Sequence, residues 1–451
     1  MLLAHRIRLD ATRQQSDYFM RAAGTARRVW NWALAEWQRQ ADAGGRPNAM
    51  ALKKQFNAIK YHHSDWLDED GQPWLRTMHR DCHSQPFANL ARAFARFFEQ
   101  LRRKEKAHPP KFKKKGRCAD SFYVANDKLR CEGSAIVLPR IGKVALAEPL
   151  RLPGTIMGAS VQREADHWFV ALQVEVPDAQ FYRARTGHGV VGVDLGITAA
   201  ATLSTGQSIA SPRPLKAALR RLRIRSRRLS HKVEAAKRAA GIAGAIPKGV
   251  RLARSNNRQK GARALSRLHA RIANVRRDFT RKLTTALCRE NQTIVIEDLH
   301  VKGMLANERL ARHISDIGFG RIRAQLTYKA LRYRSTLVVA DRWYPSSKLC
   351  SACGAKNSAL GLGDRVWTCA ACGAVHQRDP NAAVNLERLA TGAAAAGSQT
   401  APPVASQVVM PGTGDGVAPE PGGKVTPVRH EYGHQDGSGQ EENAAHECAR
   451  F

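Results

Sequence analysis

Three carboxylates, Asp194, Glu297 and Asp379, and four cysteines, Cys350, Cys353, Cys369 and Cys372, are the residues here whose types and spacing could do chemistry. Asp194 stands in the apolar run of Val190, Val191, Val193 and Leu195, where a charge is costly unless paired, and a divalent cation is the usual partner. Taken alone, Asp194 could equally be a strand-end Asp capping a turn. Glu297 closes a second β-branched run from Thr293 to Ile296, and strand alternation turns its neighbour Asp298 to the opposite face. Asp379 precedes Pro380 and a helical pattern, so it projects from a helix start; an ordinary N-cap before a proline would look the same.

Three such carboxylates would repel each other on approach, so together they imply Mg²⁺ or Mn²⁺ held by oxygen ligands. Strand Asp, later strand-end Glu, then helix-start Asp is the order in which an RNase H-like fold assembles its metal site. That site suits two-metal phosphodiester hydrolysis, one ion activating a water and the other stabilising the leaving 3′ oxygen. The cysteines form two C-x-x-C knuckles, fifteen residues apart and each followed by glycine (Gly354, Gly373). Four thiolates at this spacing predict one tetrahedral structural Zn²⁺, a zinc ribbon; redox chemistry would need only one pair. Cys82, Cys118, Cys131, Cys288 and Cys448 are scattered and read as incidental thiols.

The elements that must position these groups lie in a chain of 451 residues, long enough for several domains. Lys and Arg number 73 against 38 acidic residues, a formal charge of +35 that a polyanion would neutralise. No long apolar span or lipid-anchor motif points to a membrane, and Met1 to Arg6 lacks the apolar stretch of a secretory signal. The expected location is cytoplasmic, on DNA.

The first third reads as a short strand, Ala4 to Leu9, a helix capped at Asp10-Ala11-Thr12, and a second helix over roughly Pro86 to Arg103. Their apolar faces are Phe19, Ala23, Ala26, Trp30, Ala33 and Trp37, then Leu90, Phe94, Phe97, Phe98 and Leu101. Arg21, Arg27 and Arg28 face away and could touch phosphate. The run Lys111-Phe112-Lys113-Lys114-Lys115, beside a rigid Pro-Pro, sets an aromatic among lysines and fits contact with a nucleic-acid backbone. Strand patterns from Ser121 to Val176 then suggest a small β-barrel carrying the helices as an inserted bundle. Between the first two carboxylates, Pro214 to Ala240 and Asn256 to Arg289 read as long Arg-rich helices, with Glu234, Asp278 and Glu290 the only acids. A second strand is expected from Ile197 to the turn at Ser204. From Thr391 to Phe451 the chain lacks periodicity and is expected to be a disordered tail.

The motifs GVDLGI around Asp194, IED around Glu297, the paired C-x-x-C-G knuckles and RDPNAAVNL, joined by HRIRLDAT, PPKFKKKG and SSKLCSACG, resemble the OrfB/TnpB family of insertion-sequence proteins, relatives of type V CRISPR effectors. The resemblance runs over about residues 4 to 390. It implies a RuvC-like endonuclease guided by an RNA from the transposon end, cutting double-stranded target DNA beside a short adjacent motif. Carried over, Asp194, Glu297 and Asp379 are the catalytic carboxylates holding two Mg²⁺, and Cys350, Cys353, Cys369 and Cys372 hold Zn²⁺. Gln377 stands where the family often has an acid, and the loop from Gly241 to Asn257 looks long.

The expected fold is multidomain α/β. A nucleic-acid-recognition β-barrel with inserted helices spans 1–185. The RuvC-like, RNase H-like nuclease spans 186–345 and 376–390, with a zinc ribbon inserted at 346–375, and the tail follows from 391. The rival readings are an unguided transposase or resolvase using the same carboxylates and a guided DNA-binding repressor that does not cut. The intact triad disfavours the repressor.

Overall fold

The computed structural model describes residues 1–392, except 248 and 362, together with a short strand at 407–409. The chain is mixed α/β and divides into two compact units. Among the described residues the first is Met1–Asp178, and the second begins at Ala179.

The first unit starts with β1 (Leu2–Asp10) and passes into three helices, α1 (Arg13–Asp42), α2 (Ala49–Ile59) and α3 (Asp81–Arg102). Thr12 starts α1 through a capping box: its hydroxyl accepts from the Gln15 amide N–H, and the Gln15 side chain accepts from that of Thr12. Phe19, Ala23, Trp30 and Ala33 of the expected stripe are buried, as are Val29 and Leu34. Three details differ from the sequence reading. Helix α2 was not expected at all. Helix α3 begins at Asp81, with Pro86 inside it; the one helical bond the ring forfeits is outweighed by burial of Cys82, His83 and Phe87 on that turn. Phe98 and Leu101 were expected inside but are 48% and 50% exposed. Helix α2 has 11 residues against 22 in α3, so at 1.5 Å per residue it is too short to cover the last turns.

The chain returns as β2 (Ser121–Ala125), β3 (Arg130–Glu132), β4 (Ala135–Leu138), β5 (Gly142–Leu146), β6 (Thr155–Glu164) and β7 (His167–Glu175). They form one antiparallel sheet in the order β2-β6-β7-β1-β5-β4-β3. Laid flat, seven strands would hold the edges about 29 Å apart. Yet the five-residue step from Ala125 to Arg130 joins those edges and reaches at most about 18 Å. The sheet must therefore curl towards a barrel. No ladder joins β2 to β3 among the described residues, so the expected barrel is left incompletely closed; a three-residue β3, already paired to β4, offers too few free groups to close it.

One turn, α4 (Asp178–Phe181), begins at the last residue of the first unit, and the second unit continues with β8 (Val190–Asp194), β9 (Ala201–Leu203) and β10 (Ser208–Ile209). Two long helices follow, α5 (Pro214–Ala239) and α6 (Asn256–Glu290), then β11 (Thr293–Glu297), α7 (Val301–Leu305), α8 (Glu308–Ile317), α9 (Phe319–Tyr333) and β12 (Thr336–Ala340). A hairpin, β13 (Val366–Thr368) with β14 (Val375–Gln377), leads into α10 (Arg378–Thr391), and β15 (Gln407–Val409) comes last. The sheet runs β10-β9-β8-β11-β12-β15. Strands β8, β11 and β12 are parallel, while β9, β10 and β15 are antiparallel to their neighbours. The second strand is shorter than expected: residues 197–200 bend, and pairing begins at Ala201. The expected disordered tail lies outside the described residues except for its first two residues and β15, where three residues pair with β12 instead.

Helices α5 and α6 match their expected ranges and meet along Ala218, Leu222, Leu268 and Ile272. The free N-terminus of α5 is capped from outside. Asp316 of α8, only 2% exposed, accepts from the amides of Leu215 (2.9 Å) and Lys216 (3.1 Å) and from Arg276 of α6 (2.8 Å). One buried carboxylate thereby ties α5, α6 and α8 together.

Helix α10 lies directly against β8. A Cβ on Gly192 would fall 1.9 Å from the carbonyl oxygen of Ala383 and 2.5 Å from the amide nitrogen of Glu387. Glycine is required here for close approach. Gly192→Ala should therefore push α10 off the strand, costing about 3 kcal/mol, read as a lower midpoint in thermal or urea unfolding. Alanine at the open Gly189 should cost far less.

Candidate metal centres and the residues that position them

The parallel register sets Ile296 opposite Val193, which brings Asp194 and Glu297 side by side at the carboxyl ends of β8 and β11. Asp379 reaches the same place from the first turn of α10. The N-cap of that helix is Gln377 and Asp379 makes no capping bond, so the plain helix-cap reading does not hold. All three carboxylates line one cleft of about 210 Å³ with Gly196, Ser347, Arg365, Arg378 and Ala382.

Burial, then the charges of Glu297 and Asp379, push the Asp194 carboxyl up to about 8; Arg378 and Arg365 oppose this. Glu297 is also raised, chiefly by burial, against the hydroxyl of Ser346 and the charge of Arg378. The Arg365 guanidinium lies 3.7 Å from Asp379. Two acids that resist ionisation, Asp194 and Glu297, with the Asp379 carboxylate beside them form a donor set a divalent cation fits. Asp298 does turn away, as alternation required. Burial resists its ionisation, but Arg342 at 2.6 Å and Arg323 hold its carboxyl below the usual range.

Residues that the sequence reading passed over hold this arrangement together. The Ser346 hydroxyl donates to Glu297 Oε1. Asn385 of α10 donates to the carbonyls of Ser346 (2.8 Å) and Leu349 (2.7 Å). Asn381 donates to Leu349 O (2.7 Å) and accepts from the amide of Ser351 (2.9 Å). Both asparagines are nearly inaccessible, at 3% and 4%. Two exposed-looking amides in RDPNAAVNL therefore clamp the first knuckle and the Glu297 partner onto the helix carrying Asp379. Their i, i+4 spacing was the available signal, since it puts both on one helix face.

The four knuckle sulfurs lie within 4.8 Å of one another, as a set that could hold one metal ion. The two knuckles repeat the same turn. Gly354 N–H donates to Cys350 O and Gly373 N–H to Cys369 O, both at 2.8 Å, with φ of +80° and +73° at the glycines. Only glycine enters that left-handed region without strain, which explains the residue after each C-x-x-C. A close-set S₄ donor group fits tetrahedral structural zinc. A further donor stands beside it: His376 Nε2 is 2.9 Å from Cys350 Sγ, and its ring packs on Trp367.

In the first unit, the lysine run is strapped to α1. Trp30 Nε1 donates to Lys111 O (3.1 Å), Asn31 exchanges two bonds with the Lys113 backbone, and Lys113 Nζ sits 4.1 Å over the Trp30 ring. Lys111, Lys114 and Lys115 are exposed. Of the arginines expected to face outward, Arg27 pairs with Asp120 at 2.8 Å, while Arg21 and Arg28 are exposed, Arg28 over Trp66 and Trp74 and Arg21 near the Tyr18 ring.

A family model described as OrfB_IS605, probable transposase, matches residues 171–308, which include Asp194 and Glu297. A Cas12f1-like TNB-domain model matches 319–386, which include the four cysteines, Ser346 and Asp379. A protein of Streptomyces pristinaespiralis, provisionally named an RNA-guided DNA endonuclease, is 34% identical over 87% of this chain and 90% of its own length. The chain belongs to the OrfB/TnpB family. Another TnpB-family relative, from Escherichia coli K12 and with the same provisional name, is 29% identical over 85% of this chain and 91% of its own. A family helix-turn-helix model matches 1–46, which in this TnpB-family chain is β1 and the single long helix α1. The solved Cas12f1–sgRNA–target DNA complex is similar over 83% of each chain, at 14% identity and a TM-score of 0.44.

The cysteine cluster predicts about one zinc per purified chain by elemental analysis. Cys350→Ser or Cys369→Ser should release it and lower the unfolding midpoint, because a ribbon this small lacks a core sufficient to fold without metal.

Proposed function

We propose that this TnpB-family chain is an RNA-guided DNA endonuclease that cuts at Asp194, Glu297 and Asp379. The observation that carries this reading is the convergence of those three carboxylates, from three separate elements, on one cleft also lined by Arg365 and Arg378. The sheet order, an antiparallel β8-β9-β10 ribbon continued by parallel β11 and β12, supports an RNase H-like, RuvC-like core. Among the described residues no helix is long and apolar enough to cross a membrane.

Two Mg²⁺ ions, or Mn²⁺, would be held by Asp194, Glu297 and Asp379; when bound they supply an activated water and stabilise the leaving 3′ oxygen. The protein's own share is positional and electrostatic. Ser346 fixes the Glu297 carboxylate, and the asparagines of α10 fix Ser346. Arg365 and Arg378 place cations where a phosphate would sit between the acids. Zinc at Cys350, Cys353, Cys369 and Cys372 would keep the ribbon at 346–375 folded beside the start of the Asp379 helix.

The remaining parts follow from charge. Residues 186–345 with 376–390 form the nuclease, and 1–185 the recognition part, with Lys111, Lys113, Lys114 and Lys115 contacting nucleic acid. Helices α5 and α6 carry one exposed arginine after another, including Arg221, Arg223 and Arg225, as an extended phosphate-binding surface. The +35 charge favours a resident guide RNA from the transposon end, with double-stranded DNA as target. The relatives' provisional names support the same reading. The family model's description, probable transposase, names the rival: strand transfer or resolution without a guide.

The test supplies RNA-free protein, two guides of different sequence, and plasmids matching one or the other. Cutting should follow the guide, and Asp194→Ala should lower it by roughly a thousandfold while target binding persists. Equal cutting without RNA would favour the transposase reading.

A pH dependence follows from Asp194. With its carboxyl pushed up to about 8 instead of the ordinary 3.8, the metal-free site holds a proton at neutral pH. Mg²⁺ needs the carboxylate, so binding expels that proton. Below pH 8 affinity should fall by about tenfold per unit as the pH drops. Calorimetric titration at pH 6.5 and 7.5, in buffers of different ionisation enthalpy, reads both the affinity and the released proton.

A further inference from the structure

Seven of the eight tryptophans are buried or half-buried, whereas Trp343 is 85% exposed. An indole forfeits much burial energy in that position. Its exposure does not come from a loose loop. The Trp343 amide donates to Asp341 Oδ1 (2.8 Å), the Tyr344 amide to Asp341 O (3.1 Å), and the Tyr344 hydroxyl to Asn385 O of α10 (3.1 Å). The turn is thus fixed to the helix that carries Asp379, and it holds the ring out in water.

Its place in the sheet gives the exposure a use. Strands β8, β11 and β12 are parallel, so the turn after β12 leaves at the same sheet end as Asp194 and Glu297. Glu297 pairs in register with Ala340, three residues before Trp343. One strand spacing and three residues of chain bring the two within about 15 Å. The neighbouring charge is cationic: Arg342 and Arg323 share the single carboxylate of Asp298, and both keep exposed guanidinium surface. A flat aromatic face within about 15 Å of the Glu297 end of the acidic cleft, on the turn that also carries Arg342, is the kind of pairing that holds unpaired nucleotides by stacking and backbone charge.

We propose that Trp343 is a stacking platform for an unpaired base of the DNA strand entering the carboxylate cleft, a proposal that rests on the nuclease reading above. The platform positions the strand; it touches no reacting atom. Trp343→Ala leaves the fold intact, because the ring covers nothing, and circular dichroism and zinc content check this.

The test uses the full-length chain in buffer without Mg²⁺ and twelve-nucleotide single-stranded DNAs in which 2-aminopurine replaces one base at a time. Wild type should quench the fluorescence at one or two adjacent positions. Trp343→Ala should lose that quenching and bind roughly five- to a hundredfold more weakly, and Trp343→Phe should restore most of both. Unchanged quenching and affinity in Trp343→Ala overturn the proposal. So does a shift of Trp343→Ala from dimer to monomer in sedimentation, which would make the ring a contact between two copies. Because the readout needs neither metal nor cleavage, a chain that stacks the base but never cuts guide-matched DNA in Mg²⁺ refutes the nuclease reading and leaves the platform standing.

Discussion

Everything in the second unit depends on how closely α10 lies against β8, and that distance is set by the missing side chain of Gly192. Backbone meets backbone there, with Ala383 O where a Cβ would be. A helix held one side chain's thickness further out would carry Asp379 away from Asp194 and Glu297. The glycine inside GVDLG is thus part of the carboxylate site although it bears no functional group. The buried residues around it, Ala382, Ala383 and Leu386 on α10, with Leu386 packed on Val295, Val338 and Ala340 of the neighbouring strands, are small or apolar, so the contact is dry and unforgiving of added volume.

Bringing three carboxylates into one half-buried cleft is unfavourable by itself, as the raised Asp194 and Glu297 carboxyls record. The fold sustains it with groups that are each satisfied elsewhere. Ser346 binds Glu297, Asn385 binds the backbone of Ser346, and Asn381 and Asn385 share Leu349 O at the start of the first knuckle. The cysteine cluster and the carboxylate cleft therefore share one hydrogen-bonded frame, and Asp379 lies three residues beyond His376, which contacts Cys350. A disturbance at the knuckles has a direct covalent route to the cleft.

Charge is organised on a larger scale. The long helices α5 and α6 would repel each other as isolated Arg-rich rods. They are held by a narrow apolar seam and by Asp316, which uses both oxygens on the α5 N-terminus and on Arg276. A single buried acid thus allows the rest of their surface to stay cationic.

The sequence by itself determined the elements whose signals are local. Apolar periodicity placed α1, α5 and α6, the Asp10-Ala11-Thr12 stretch marked the start of α1, C-x-x-C-G spacing paired the knuckles, and alternation separated Glu297 from Asp298. It also named the three acids, because Asp194 and Glu297 are conspicuous in β-branched strands and Asp379 stands before a proline at a helix start. What depends on distant partners was not legible. Helix α2, the exposure of Phe98 and Leu101, the start of α3 ahead of Pro86, the barrel edge left open and the pairing of Gln407–Val409 with β12 all turn on which surface another segment covers. Ser346 and Asp316 looked like ordinary polar residues, and the i, i+4 spacing of Asn381 and Asn385 put them on one face without naming their partners, since a hydrogen bond across 30 to 100 residues leaves no periodic trace in the chain. Local patterning reports what each segment prefers, and only tertiary packing decided which of those polar groups would meet and hold the site in place.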